Sequence, residues 1–154
     1  MGDRSYFDYN ATTPLDERVL EAMLPYLRER FANPFSVHRE GRLVRQAIEQ
    51  AREQVASMVN AHPSQVIFTS GGTEANNLAL KGIALAQADA RILVSAVEHE
   101  SVLHPATRLQ AKILPVDGQG RIDSGALDAS LARGAELVSV MSVNNETGVI
   151  QDIA

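Results

Sequence analysis

Four short apolar runs constrain this chain more than anything else in it. Val66-Ile67-Phe68-Thr69, the run from Arg91 to Val97, Lys112-Ile113-Leu114-Pro115-Val116 and the run from Leu137 to Val143 have strand length and near-continuous apolar character. Helical periodicities fill the gaps between them. Buried strands alternating with amphipathic helices predict an α/β domain with flanking helices on a mainly parallel sheet, because parallel strands need crossovers and are covered on both faces. The 154 residues suffice for one domain with a core, and 45% hydrophobic residues argue against disorder. There is no internal repeat and no low-complexity tract.

The chain opens on Tyr6-Phe7-Asp8-Tyr9, which reads as a strand, and a polar turn, Asn10-Ala11-Thr12-Thr13-Pro14. Thr13 is the expected N-cap and Pro14 the first helical residue. Leu15, Val19, Met23 and Leu27 mark a stripe that Pro25 should kink or end. Asn33-Pro34 signals a loop. A long helix is expected from about Arg39 to Asn60, with Leu43, Ala47, Ile48, Ala51 and Val55 on one face and Arg45, Glu49, Arg52 and Glu53 on a solvated one. His38 is read either as its start or as a pocket wall, and His62 as exposed. A short helix over Ser101 to Leu109, a turn at Asp117-Gly118-Gln119-Gly120 and a helix capped by Asp123 or Ser124 and running to Leu131 follow. Three segments result: 1–14, strand and turn; 15–38, helix and loop; 39–154, the α/β domain.

The net charge of −5 gives no basic footprint, so nucleic acid is not an expected partner. No cysteine is present, which removes disulfides, thiolate metal sites and a cysteine nucleophile from this chain. Met1-Gly2-Asp3-Arg4-Ser5 does not fit a signal peptide, and no apolar run is long enough to span a membrane. A soluble cytoplasmic protein is the expectation.

Ser70-Gly71-Gly72-Thr73 sits where the first run gives way to helical spacing at Leu78, Ala79, Gly82 and Ile83. A helix start offers free N–H groups and partial positive charge, glycines allow close approach, and Thr73 adds a hydroxyl. That suits a phosphate, although a plain glycine turn with a Thr cap has the same letters. Neither a Walker loop nor the dinucleotide fingerprint is present. In a parallel sheet the loops after the strands share one edge. Gly72 and Thr73, then Glu98 and His99, then Asn144, Asn145 and Glu146 should therefore meet. His99 is either a packed or hydrogen-bonded residue or an acid/base group. His99 and His104 are five apart, separated by about 140° around a helix, so a shared metal is not expected. Asn145 either caps a turn or holds a planar heterocycle.

Asp8-Tyr9-Asn10-Ala11-Thr12-Thr13-Pro14, the stretch from Phe68 to Asn77, Glu98-His99, and Val143-Asn144-Asn145-Glu146-Thr147-Gly148 resemble the cysteine desulfurases, in family order across essentially the whole chain. These belong to the class V aminotransferase group of pyridoxal-phosphate enzymes. The resemblance implies a fold type I enzyme, usually a homodimer. Such enzymes take sulfur from L-cysteine, release L-alanine and pass a persulfide to acceptors such as an iron–sulfur scaffold. Residues 15–38 would belong to the small domain or an interface, and 39–154 to an incomplete cofactor-binding large domain. By position, Gly72 and Thr73 match residues that hold the phosphate of pyridoxal 5'-phosphate. His99 matches the histidine stacked on its ring and proposed as an acid/base, and Asn145 a residue near the ring oxygen and substrate.

The chain departs from the family pattern in what it lacks: the Schiff-base lysine, the aspartate paired with the pyridine nitrogen, the carboxylate-binding arginine and the persulfide cysteine. Lys81 and Lys112 are the only lysines. Lys81 is two turns past Thr73, away from the ring, and Lys112 begins a strand at the far end of the sheet. The expected reading is the N-terminal portion of a desulfurase, inactive by itself and prone to aggregate or to need a partner along its open sheet edge. A selenocysteine lyase or other class V enzyme is the first alternative. A non-catalytic phosphate- or partner-binding piece is the second.

Overall fold

The structure, a computed structural model, describes residues 5–153. Met1 to Arg4, where a leader was sought, and Ala154 lie outside the described residues, as do the outer ends of segments 1–14 and 39–154. The chain divides into two compact units, Met1–Phe68 and Thr69–Ala154.

The first unit holds two helices, α1 (Glu17–Arg28) and α2 (Arg39–Met58), and a single 3-10 turn, Pro63–Gln65. Tyr6 to Tyr9 does not form the expected strand: among the described residues it pairs with none. The chain turns there instead, with the Ala11 and Thr12 N–H groups on the Asp8 carbonyl at 3.1 and 3.3 Å. Asp16, not Thr13, caps α1. Its Oδ1 accepts from the Arg18 N–H at 2.9 Å, and the Arg18 guanidinium closes on the same carboxylate, holding Asp16 below the usual carboxylate range. Pro25 does not stop the helix. It removes one hydrogen bond near the end, from the carbonyl of exposed Glu21, and the helix runs on to Arg28.

His38 starts α2, its Nδ1 accepting from the Gly41 N–H at 3.2 Å. Gly41 is required by packing: a Cβ there would stand 2.5 Å from the Ser36 carbonyl oxygen. Arg52 is not a solvated residue. Its guanidinium donates to the Val66 carbonyl and lies 5.1 Å from the centre of the Phe68 ring. Val66 to Phe68 is extended as expected but unpaired among the described residues, lying along α2 rather than in a sheet.

The second unit carries the parallel sheet that the apolar runs predict. Strands β1 (Ile92–Ser95), β2 (Lys112–Leu114) and β3 (Leu137–Ser139) lie in the order β2-β1-β3, all parallel. Helices α3 (Gly72–Ala86), α4 (Glu100–Arg108) and α5 (Ser124–Leu131) connect and cover them. All four residues of β1 are buried, as a central parallel strand requires. Ile92 and Val94 pack with Leu80 of α3 and Val102 and Ala106 of α4 in one core.

The strands are shorter than the apolar runs because polar side chains end the ladder. After Ser139, the Met141 N–H is taken by the Glu98 carboxylate instead of a neighbouring strand. Asp123 caps α5, accepting from the Ala126 N–H at 2.9 Å. Val149 to Ile153 forms no helix: Gln151 is buried and clasps Ile122 N–H and the Gly120 carbonyl, both at 2.8 Å.

Candidate active site

The α3 N-terminus comes first. Gly71 is its N-cap and makes no side-chain capping bond, so Thr73 is a first-turn residue and not the cap. Ala75 N–H reaches the Gly71 carbonyl at 3.1 Å, while the N–H groups of Gly72, Thr73 and Glu74 find no acceptor among the described residues. The approach loop is fixed from behind. Glu74 folds back so that one carboxylate oxygen accepts from both the N–H and the hydroxyl of Ser70 at 2.6 Å, which lowers its pKa.

Neither glycine is demanded by the chain's own packing. A Cβ on Gly71 or Gly72 would meet nothing within 4 Å, and neither residue is in the left-handed region. What the glycines leave open is the space over three free N–H donors and the Thr73 hydroxyl. That donor set, all hydrogen-bond donors at the positive end of a 15-residue helix, fits a phosphate monoester dianion.

Helix α4 begins at the loop after β1, and His99 is its N-cap. His99 Nδ1 accepts from the Ser101 N–H at 3.0 Å and lies 2.8 Å from Ser101 Oγ. Asn76 of α3 donates to the same Oγ at 2.8 Å, joining the two helix starts. Between α3 and α4 runs an open cavity of about 390 Å³, with Thr73, Asn77, Lys81, His99 and Arg108 among its lining residues. Lys81 stands two turns past Thr73, about 12 Å farther along the helix axis, and lines the same cavity. Lys112 is elsewhere, bonded to Ser130 Oγ at 2.7 Å.

The third loop is tied to the second by two buried residues to which the sequence reading gave no role. Glu98, 8% exposed, accepts from Ser139 Oγ at 2.9 Å and from the Met141 N–H. Asn144, 9% exposed, donates to the Val97 carbonyl at 3.1 Å, while its Oδ1 gathers the Glu146 and Thr147 N–H groups at 2.9 and 2.8 Å. Asn145 opens the turn that Asn144 organises, beside the His99 loop, and is not in the lining of the Thr73–His99 cavity. A charge or amide directly after an apolar run was the available signal for Glu98 and Asn144. Among the described residues no cluster of acidic and histidine side chains could hold a metal, and no helix is long and apolar enough to cross a membrane.

The α3 start at Thr73 and the His99 cap line one cavity in an α/β domain with a parallel sheet. The chain belongs to the family described as Aminotransferase class-V, matched over residues 5–154. It is 46% identical to the cysteine desulfurase IscS of Dictyoglomus turgidum, over 96% of this chain and 39% of that protein. It is also 46% identical to the human cysteine desulfurase, over 97% of this chain and 34% of that one. Among solved structures, a NifS-like protein superposes with a TM-score of 0.88 at 38% identity, covering 97% of this chain and 43% of its own. SspA in complex with cysteine gives 0.86 at 35%, covering 97% and 45%. The chain therefore spans about two fifths of the length of the first of these relatives.

Proposed function

We propose that this chain supplies the phosphate-anchoring and ring-facing part of a pyridoxal 5'-phosphate-dependent cysteine desulfurase acting on L-cysteine. The observation that carries the reading is the α3 start, where the N–H groups of Gly72, Thr73 and Glu74 have no acceptor among the described residues and Thr73 lines a cavity with His99. Bound there, the cofactor would supply an electron sink for bond cleavage at the amino-acid substrate. The chain's part is to hold and orient. Gly72 and Thr73 bind the phosphate through N–H and O–H donors. His99, held through Nδ1, would orient the heterocycle and hold or move a proton at Nε2. Asn145 stands by for the ring oxygen, its loop fixed through Asn144 and Glu98.

The same reading makes residues 15–38 part of a small domain or interface and residues 39–154 part of the large domain. It gives a cytoplasmic homodimer that passes sulfur to an acceptor such as an iron–sulfur scaffold. With no cysteine in the chain, the persulfide is not carried by these residues.

The protein that carries this chain, purified with pyridoxal 5'-phosphate, is expected to release sulfide and equimolar alanine from L-cysteine. Thr73→Val should weaken cofactor retention, and His99→Ala should cut turnover about a hundredfold or more. Turnover of selenocysteine alone would move the assignment to a selenocysteine lyase. Retained cofactor without any turnover would leave a binding subunit.

A further inference from the structure

Ser101 N–H can only donate, and it lies 3.0 Å from His99 Nδ1. That nitrogen therefore offers its lone pair, and in the neutral ring the proton sits on Nε2. Ser101 Oγ is 2.8 Å from the same Nδ1. Facing a lone pair, the hydroxyl must turn its hydrogen toward the ring, which leaves Oγ able only to accept from elsewhere. Asn76 Nδ2 donates to it at 2.8 Å. The Asn76 amide cannot be reversed, because its oxygen would then face an oxygen whose hydrogen is already committed. One backbone N–H thus sets the direction of a three-residue chain, from Asn76 on α3 through Ser101 to His99. Ser101 is 9% exposed and Asn76 is half-buried, so little water competes for these bonds.

We infer that Asn76 and Ser101 are positioning residues that direct a second donor, the Ser101 hydroxyl, onto His99 Nδ1 and so reinforce the Nε2–H tautomer set by the Ser101 N–H, leaving proton traffic to Nε2 alone. The inference rests on the reading of His99 as the ring beside the cofactor, yet the tautomer can be read without cofactor. Nδ1 is engaged by two donors at once, while Nε2 remains the nitrogen remote from Ser101. The relay also crosses from the helix that begins at Gly72 to the helix that His99 caps, so the phosphate-facing start and the imidazole are set by one linkage.

The test is ring-nitrogen NMR on the whole protein, cofactor-free and labelled with ¹⁵N in its histidines. The His99 signals are assigned by their loss in His99→Gln. Wild type should show Nε2 protonated and Nδ1 bare in the neutral ring. Asn76→Asp keeps the size but accepts instead of donating. The Ser101 hydroxyl then turns to the new carboxylate, and Nδ1, left with the Ser101 N–H as its single donor, should shift downfield in ¹⁵N. Ser101→Ala should give the same downfield shift and Ser101→Thr should reverse it, a second route if Asn76→Asp disturbs folding. A role in packing alone predicts the same His99 signature in wild type and all three variants. That result, or an Nδ1–H form in wild type, would overturn the inference. Sulfide release is scored separately: a set tautomer without turnover sinks the desulfurase reading and leaves the relay intact.

Discussion

Glu98→Ala is the most informative single change in this chain. The carboxylate is 8% exposed and accepts from Ser139 Oγ and the Met141 N–H, so truncation strands two donors at the end of the central sheet. Hydrogen bonds to a charged acceptor contribute about 1.5–3 kcal/mol each, and a buried donor left unpaired costs about 1–3 kcal/mol, so the expected loss is about 3–5 kcal/mol. Glu98→Gln is a different case. Its oxygen can still accept the Met141 N–H, and its amide N–H₂ can donate to Ser139 Oγ, since a hydroxyl works in either sense. Only charge assistance disappears, and the loss should be about 1 kcal/mol. Urea unfolding followed by circular dichroism gives the stabilities, and amide exchange at Met141 reports the bond itself. Ser139→Ala combined with Glu98→Ala should be non-additive by about 1 kcal/mol, because both remove one interaction. The reasoning fails if Glu98→Gln is as damaging as Glu98→Ala, since acceptor geometry would then be irrelevant. It fails equally if Glu98→Ala costs less than about 1 kcal/mol.

Two glycines should behave in opposite ways. Gly41→Ala forces a Cβ against the Ser36 and Asn33 carbonyl oxygens, 2.5 and 2.8 Å away, and should destabilise by about 1–3 kcal/mol in denaturant titration. Gly72→Ala meets no atom, so its stability should be unchanged or raised by up to about 1 kcal/mol while pyridoxal 5'-phosphate binding, followed by fluorescence, weakens. The Ser70–Glu74 clasp should be pH-dependent. Ser70 lowers the Glu74 pKa through its hydroxyl and N–H, so the clasp is fully formed above the ordinary carboxylate range and is lost as pH falls through the lowered value. The Ser70 amide resonance should follow that acid-limb transition in wild type and not in Glu74→Gln.

The alternation of apolar runs and helical stripes was legible because it reports the two burial environments that a parallel sheet creates. So were the start of α2 and the Asp123 cap, which depend on residues within a turn of each other. What failed depends on partners that sequence spacing does not contain. Tyr6 to Tyr9 and Val66 to Thr69 have strand composition, but a strand exists only where a neighbour offers its ladder. The apolar run from Leu137 to Val143 is four residues longer than its strand because Glu98, some forty positions earlier, captures the Met141 N–H. Arg52 looked like one more residue on a charged face until the Val66 carbonyl and the Phe68 ring came to meet it.

His99 shows why the site was harder to read than the fold. It has two open readings, a packed or hydrogen-bonded residue on one side and an acid/base group on the other. The structure shows the hydrogen-bonded role outright: Nδ1 caps α4, with Ser101 as its partner, while the residue stays exposed. A capping imidazole spends one nitrogen and one edge, and keeps the other nitrogen and the ring face. The cap therefore makes the second role easier, because a ring already fixed in plane and tautomer has less freedom to lose when a flat heterocycle stacks on it. The same holds for Glu98 and Asn144, which satisfy buried backbone groups and in doing so set the loops that present His99 and Asn145. In this domain the residues nearest the cavity are positioned by bonds that also end strands and start helices, so substitutions there should alter stability and ligand geometry together.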